Sequence, residues 1–102
     1  MKDLEIEYRQ TRNGIEIRLS GQLQYSNAGE FRDSVPDRVR NCGSYVVLDM
    51  GSLTFIDTAG FSAIRYLSEA CMMQSQHVQV INANVKIRNA VQGMRNIGMF
   101  EL

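Results

Sequence analysis

Tyr45-Val46-Val47-Leu48 is the most constraining stretch of this chain. Four apolar residues in a row, without alternation, fit a strand buried on both faces in the middle of a sheet. Such a strand needs neighbours. Leu4, Ile6 and Tyr8 alternate with Glu5, Glu7 and Arg9, and Ile15, Ile17 and Leu19 alternate with Glu16 and Arg18. Period-two alternation gives each strand one buried and one wet face. Asn13-Gly14 between them tolerates the positive φ of a tight turn, so an antiparallel hairpin opens the chain. Val78-Gln79-Val80-Ile81 is a further short strand.

Helical periodicity fills the gaps. Residues 20–27 read as a loop, with Ser26 or Asn27 capping a first helix through Glu30. Ala28, Phe31, Val35 and Val39 form its apolar face, and Pro36 predicts a kink or a break into two short helices. Asp49-Met50-Gly51-Ser52 reads as the end of the central strand. A second helix runs from Thr58 to about Gln74, with Ile64, Leu67 and Cys71 on one side and Ala63 and Ala70 beside them. Asn82 or Asn84 caps a third helix with Ile87, Val91 and Met94 on its face, closed by Gly98. The order strand, strand, helix, strand, helix, strand, helix predicts a single α/β domain over residues 1–102. Its mixed sheet holds about four to five strands, opens with an antiparallel hairpin and carries its helices largely on one face.

Composition removes several functions. Eleven basic and eleven acidic residues give zero formal charge, which argues against direct nucleic-acid binding through bulk charge. No apolar run is long enough to insert into a membrane, and the opening Met-Lys-Asp-Leu-Glu lacks a secretory apolar stretch. Cys42 and Cys71 make neither a disulfide framework nor a zinc pattern. A reduced, cytoplasmic thiol pair is expected, with Cys71 in the core. One histidine, His77, leaves most metal sites and triads without parts. There is no nucleophile elbow, phosphate-binding loop or Cys-x-x-Cys. Asp49 and Asp57 lack the accompanying group that acid–base chemistry needs. A binding module is expected rather than an enzyme, with no cofactor and no metal.

The densest information lies in Leu48-Asp49-Met50-Gly51-Ser52-Leu53-Thr54-Phe55-Ile56-Asp57-Thr58-Ala59-Gly60-Phe61. Asp57 and Thr58 are good caps for the helix that follows, because their side-chain oxygens accept from free backbone N–H groups. Thr58 also suits phosphorylation: a phosphate there meets unpaired N–H groups and the positive helix end. On the same helix Phe61, Arg65, Ser68 and Met72 fall on one side, away from Ile64, Leu67 and Cys71; with Ser62 they read either as an exposed partner surface beside Thr58 or as boundary packing against a loop.

The stretch from Val46 to Ile64 resembles the signature of the STAS domain, the sulphate-transporter and anti-sigma-factor-antagonist family. An apolar strand ends in Asp49, and Phe55-Ile56-Asp57-Thr58-Ala59-Gly60-Phe61 follows. Gly21-Gln22-Leu23-Gln24 resembles the family's first loop, and residues 84–100 resemble its C-terminal helix and tail. The sequence departs from the family pattern at four positions. Thr58 stands where free antagonists more often have Ser, Phe61 replaces Leu, Gln24 stands where many members carry Asp, and Pro36 interrupts the first helix. The resemblance implies a regulator that binds an anti-sigma factor or related GHKL-type serine/threonine kinase until Thr58 is phosphorylated, and that a phosphatase resets. Asp57, Ala59 and Gly60 would shape the phosphosite loop, and Gln24 and Ser26 would join the partner surface. The Asp-Thr-Ala-Gly form also resembles the STAS subunits of phospholipid-trafficking ABC transporters, which implies an alternative role: docking on an ATPase without kinase switching.

Overall fold

The computed structural model describes residues 3–93. Seven elements follow one another: β1 (Leu4–Gln10), β2 (Gly14–Leu23), α1 (Tyr25–Val39), β3 (Tyr45–Ile56), α2 (Thr58–Met73), β4 (His77–Ile81) and α3 (Val85–Gly93). Residues 94–102, which include the expected Met94 and Gly98, lie outside the described residues. The described strands form one sheet in the order β1-β2-β3-β4. β1 and β2 are antiparallel, whereas β2–β3 and β3–β4 are parallel. This is the mixed sheet that the element order predicts.

Register puts one apolar layer across all four strands. Tyr8 pairs with Ile17, Ile17 with Leu48, and Leu48 with Val80. Onto this layer α1 sets Phe31, Val35 and Val39, and α2 sets Ile64, Leu67 and Cys71, all buried. Full burial of such a side chain stabilises the fold by roughly 1.5–3 kcal/mol. The opposite sheet face carries Glu5, Glu7, Arg18 and Gln79, all exposed. The described buried side-chain polar atoms all have partners. Gln76, for example, donates to the Val39 and Gly43 carbonyls at 3.0 and 2.9 Å.

Six local expectations are corrected. β3 is an inner strand, but only one face is fully covered: Val46 and Leu48 are buried, Val47 is half-buried and Tyr45 exposed. β3 also does not stop at residue 49. It runs to Ile56, because β2 continues beside it to Leu23 and supplies ladder partners past Gly51 and Ser52. For the same reason residues 20–23 are strand rather than loop, with register shifts against β3 near Ser20 and Gly21. Helix α1 therefore starts at Tyr25 with Gln24 as its cap, and Asn27 answers from the third helical position: its Oδ1 accepts from the Gln24 N–H at 2.9 Å. Pro36 does not break α1, which runs unbroken to Val39; the missing N–H removes only the bond to the Arg32 carbonyl, and the proline ring is buried in the core face beside Val35 and Val39. Finally, the hairpin turn uses no positive φ at Asn13 or Gly14. Gly14 is required for another reason: a Cβ there would lie 1.7 Å from the Tyr45 carbonyl oxygen. Of the two candidate caps for α3, Asn84 does the work, accepting from the Ile87 N–H at 2.9 Å.

Candidate functional site

β2 and β3 are parallel and finish together, with Leu23 beside Ile56. Each strand then feeds a helix through one capping residue, Gln24 for α1 and Asp57 for α2. Two helix N-termini thus start side by side at one end of the sheet. First-turn N–H groups lack intrahelical partners and give each start a positive potential.

Asp57 serves both helices. Its Oδ1 accepts from the Gly60 N–H at 2.8 Å, the usual capping bond within α2. Its Oδ2 accepts from the N–H of Tyr25, the first residue of α1, at 3.0 Å. Its own N–H donates to the Leu23 carbonyl at 3.3 Å. One carboxylate therefore ties α2, α1 and the end of β2 together. Gly60 lets α2 lie this close: a Cβ there would sit 2.2 Å from the Leu23 carbonyl oxygen. Ala59, half-buried, packs against the core.

Thr58 is the first residue of α2 and is exposed. Its hydroxyl makes no hydrogen bond among the described residues. Gln24 and Ser26 lie in and just before the first turn of α1, so the Asp57–Tyr25 bond brings them to the same end as Thr58. The site residues expected from two separate loops are thus gathered by one carboxylate.

The expected partner face of α2 divides. Ser62, Arg65 and Met72 are exposed as predicted. Phe61 is not: it is buried at 5 % exposure and belongs to the core. Ser68, on the same side, is fully buried. The buried arc of α2 is wider than the Ile64, Leu67 and Cys71 stripe, and positions 61 and 68, three before and four after Ile64, fall inside it. Arg65 pairs with Glu69 at 3.4 Å, and Arg32 of α1 stacks over Tyr66 of α2 at 4.8 Å.

Two residues of this end were missed in the sequence. Tyr25 is 85 % exposed, and Phe55, near the end of β3, is also exposed. Reading residues 20–27 as a loop hid the fact that Tyr25 opens a helix beside Thr58. Asp49 forms a separate arrangement. Its Oδ1 accepts from the Gly51 N–H at 2.9 Å and from Asn82 Nδ2 at 3.2 Å, and Arg18 pairs with it at 3.7 Å. The Gly51 N–H above all holds its carboxyl below the usual carboxylate value; burial opposes this, and Asn82 and Arg18 add to it. Asp49 and Asp57 share no hydrogen-bond partner among the described residues. Among the described residues no three His, Cys, Asp or Glu side chains gather as metal ligands would.

The family model of the STAS domain matches residues 5–102. The chain belongs to the STAS domain family. No curated protein matches it in sequence. Among solved structures, the STAS domain described here is similar to the anti-sigma factor antagonist SpoIIAA in its unphosphorylated form. The TM-score is 0.71 at 16% identity, covering 97% of this chain and 86% of that one. The phosphorylated form of SpoIIAA, from Bacillus, gives 0.69 at 16% identity, covering 97% and 90%. It is also similar to murine Slc26a9, an anion transporter, with a TM-score of 0.70 at 20% identity, covering 78% of this chain and 13% of that one. At these identities the likeness establishes the fold: a STAS domain with its helix starts paired at one end. Among the described residues no helix is long and apolar enough to cross a membrane.

Proposed function

We propose that this STAS domain is a partner-switching regulator of the anti-sigma factor antagonist type. Unphosphorylated, it binds an anti-sigma factor or related GHKL-type serine/threonine kinase; phosphorylation of Thr58 releases it, and a phosphatase restores it. The observation that carries this reading is Thr58 itself, an exposed hydroxyl with no hydrogen bond among the described residues, standing at the start of α2 beside the start of α1. The similarity to SpoIIAA, an antagonist with unphosphorylated and phosphorylated forms, supports it. In this reading the domain is a cytoplasmic substrate and binding module, not a catalyst, and it neither contacts nucleic acid nor inserts into a membrane.

The physics of release is local. A phosphate on Thr58 adds about −1.5 to −2 charge at pH 7. The two helix starts stabilise that charge. The fold tolerates it, because Asp57 keeps its own two N–H donors. A partner seated over Thr58, Tyr25 and the exposed side of α2 would instead have to desolvate the phosphate, which weakens the complex. The same exposed Thr58, within Asp57-Thr58-Ala59-Gly60, also favours a second reading: docking on the ATPase of a phospholipid-trafficking ABC transporter, where no phosphate is involved.

One experiment separates the two readings. Wild-type, Thr58→Ala and Thr58→Glu proteins are used as bait in the host's own cells, with phosphopeptide analysis of the wild type. Partner switching expects a GHKL-type kinase retained by Thr58→Ala, lost by Thr58→Glu, and phosphate on wild-type Thr58. An ATPase and a permease in the eluate, weakened by Thr58→Ala and with Thr58 unmodified, establish the transporter reading instead. Equal retention by both variants refutes the switch.

A further inference from the structure

β1 is an edge strand among the described residues, pairing only with β2. The direction of its free backbone groups follows from two bonds. The Asp3 carbonyl accepts from the Gln22 N–H, and the Thr11 N–H donates to the Gly14 carbonyl, both at 2.8 Å. In an antiparallel ladder alternate residues face the neighbour, so the odd residues of β1 bond to β2. Leu4, Ile6 and Tyr8 therefore turn their N–H and C=O groups to the open edge.

Beside this edge runs a groove of about 770 Å³ between β1 and α1. The helices bury Ile15, Ile17 and Leu19 of β2 fully but leave Leu4 and Ile6 half-buried, so these two give the groove an apolar floor, with the buried Phe31 beneath them. Asp3 and Glu30 line it as well, and both are exposed. Its far end is flanked by Tyr8, over which Arg38 stacks at 4.7 Å. Glu5 and Glu7 turn their side chains to the opposite face of the same strand, exposed, with Ser20 and Arg18 of β2 directly opposite them; Arg18 makes its ion pair with Asp49, and neither glutamate makes one among the described residues. Arg9, by contrast, is held by Glu16 at 3.0 Å.

We infer that the β1 edge is a docking site for an extended, basic segment of a partner protein, which adds to the sheet as a further strand with alternating apolar and Lys/Arg residues. Directly opposed residues in a ladder share a face. Residues of the incoming strand opposite Leu4 and Ile6 enter the groove over its apolar floor, and those opposite Glu5 and Glu7 meet two exposed carboxylates. Main-chain bonds to Leu4, Ile6 and Tyr8 supply affinity, and the alternation supplies specificity. A second copy of β1 fits less well. Self-pairing centred on Ile6 sets Glu5 against Glu7 twice, and self-pairing centred on Glu7 sets the two Glu7 side chains against each other and offers each Glu5 only an Arg9 already held by Glu16; like charges directly opposed are destabilising.

The test titrates the ¹⁵N-labelled protein with a synthetic ten-residue peptide of alternating lysine and valine, and separately with its glutamate–valine counterpart. Saturable amide shifts centred on Leu4, Ile6 and Tyr8 are expected for the lysine peptide only. Glu5→Lys/Glu7→Lys is expected to weaken binding about tenfold. Ile6→Pro removes an outward N–H that the β1–β2 ladder does not use, so it is expected to leave the sheet paired and abolish binding. Absence of saturable binding, shifts that miss β1, equal binding of the glutamate peptide, or a β1-mediated dimer that excludes the peptide each overturns the inference.

Discussion

Asp57 carries more of this fold than its neighbour Thr58. Its carboxylate accepts two backbone N–H bonds that belong to different helices. Charge-assisted bonds to orphan first-turn donors are among the stronger local contributions. Asp57→Ala is expected to lower stability by about 2–3 kcal/mol, whereas Thr58→Ala changes it little. Urea unfolding of both variants checks this, and equal losses would place the anchor elsewhere. Asp57→Asn keeps one carbonyl oxygen, so it should fall between wild type and Asp57→Ala. Asp49 acts through acid instead. Its pKa is lowered on folding, chiefly by the Gly51 N–H, so the unfolded chain binds its proton more readily. The stability it contributes is complete above the ordinary carboxyl value of 3.8 and is lost as the pH falls through the lower folded value. The acid limb of a urea-midpoint profile should therefore be shallower in Asp49→Asn than in wild type. Parallel limbs would mean that Asp49 is not one of the groups setting it.

At the scale of elements, glycines separate what helix propensity wants from what packing permits. Gly29 lies within α1, exposed, and a Cβ there would meet nothing within 4 Å. Gly29→Ala is expected to raise stability by about 0.5–1 kcal/mol through the backbone freedom it removes from the unfolded chain. Gly60 is also helical, but its Cβ would strike the Leu23 carbonyl. Gly60→Ala is expected to cost about 1–3 kcal/mol, because neither backbone can yield without moving a helix start. Chemical denaturation of the two variants should give opposite signs. The same contrast explains what was legible in the sequence. Periodicity is local, so the hairpin strands, the inner strand and the core side of α2 could be read from residue spacing. The length of β3 could not: Gly51 and Ser52 look like turn formers until β2 is known to run beside them. Phe61 was misplaced because the width of a buried arc depends on how closely α1 and β2 approach, which no spacing within α2 encodes. Thr58 and Asp57 were legible as a cap and a modifiable hydroxyl, but the bond from Asp57 to Tyr25 joins residues 32 apart and has no local signal.

For the whole molecule, the two cysteines report different openings of the same structure. Cys71 is 1 % exposed on the inner face of α2, and burial pushes its thiol up to about 11. Cys42 is half-buried in the loop between α1 and β3, its Sγ 3.3 Å from the Arg38 carbonyl oxygen. Only a thiolate attacks a disulfide reagent, and only where the reagent can reach it. Cys42 is within reach after a local loop movement. Cys71 sits where α2 meets the sheet, so its exposure requires the helix layer to part, which in a core this continuous is close to global unfolding. Because the pKa of Cys71 is raised on folding, its neutral form favours the native state fully below the unfolded value of 9.0, and that contribution fades as the pH rises towards 11. At pH 8 without denaturant, one thiol is expected to react within minutes and the second over a far longer time. Low urea should accelerate only the second, in proportion to the unfolding constant, and Asp57→Ala should accelerate it by the factor that its stability loss sets, since a 1.4 kcal/mol loss raises the open population tenfold. Reaction of both thiols at one rate, insensitive to urea, would mean that α2 detaches on its own and that the carboxylate at its start does not hold the two helices together.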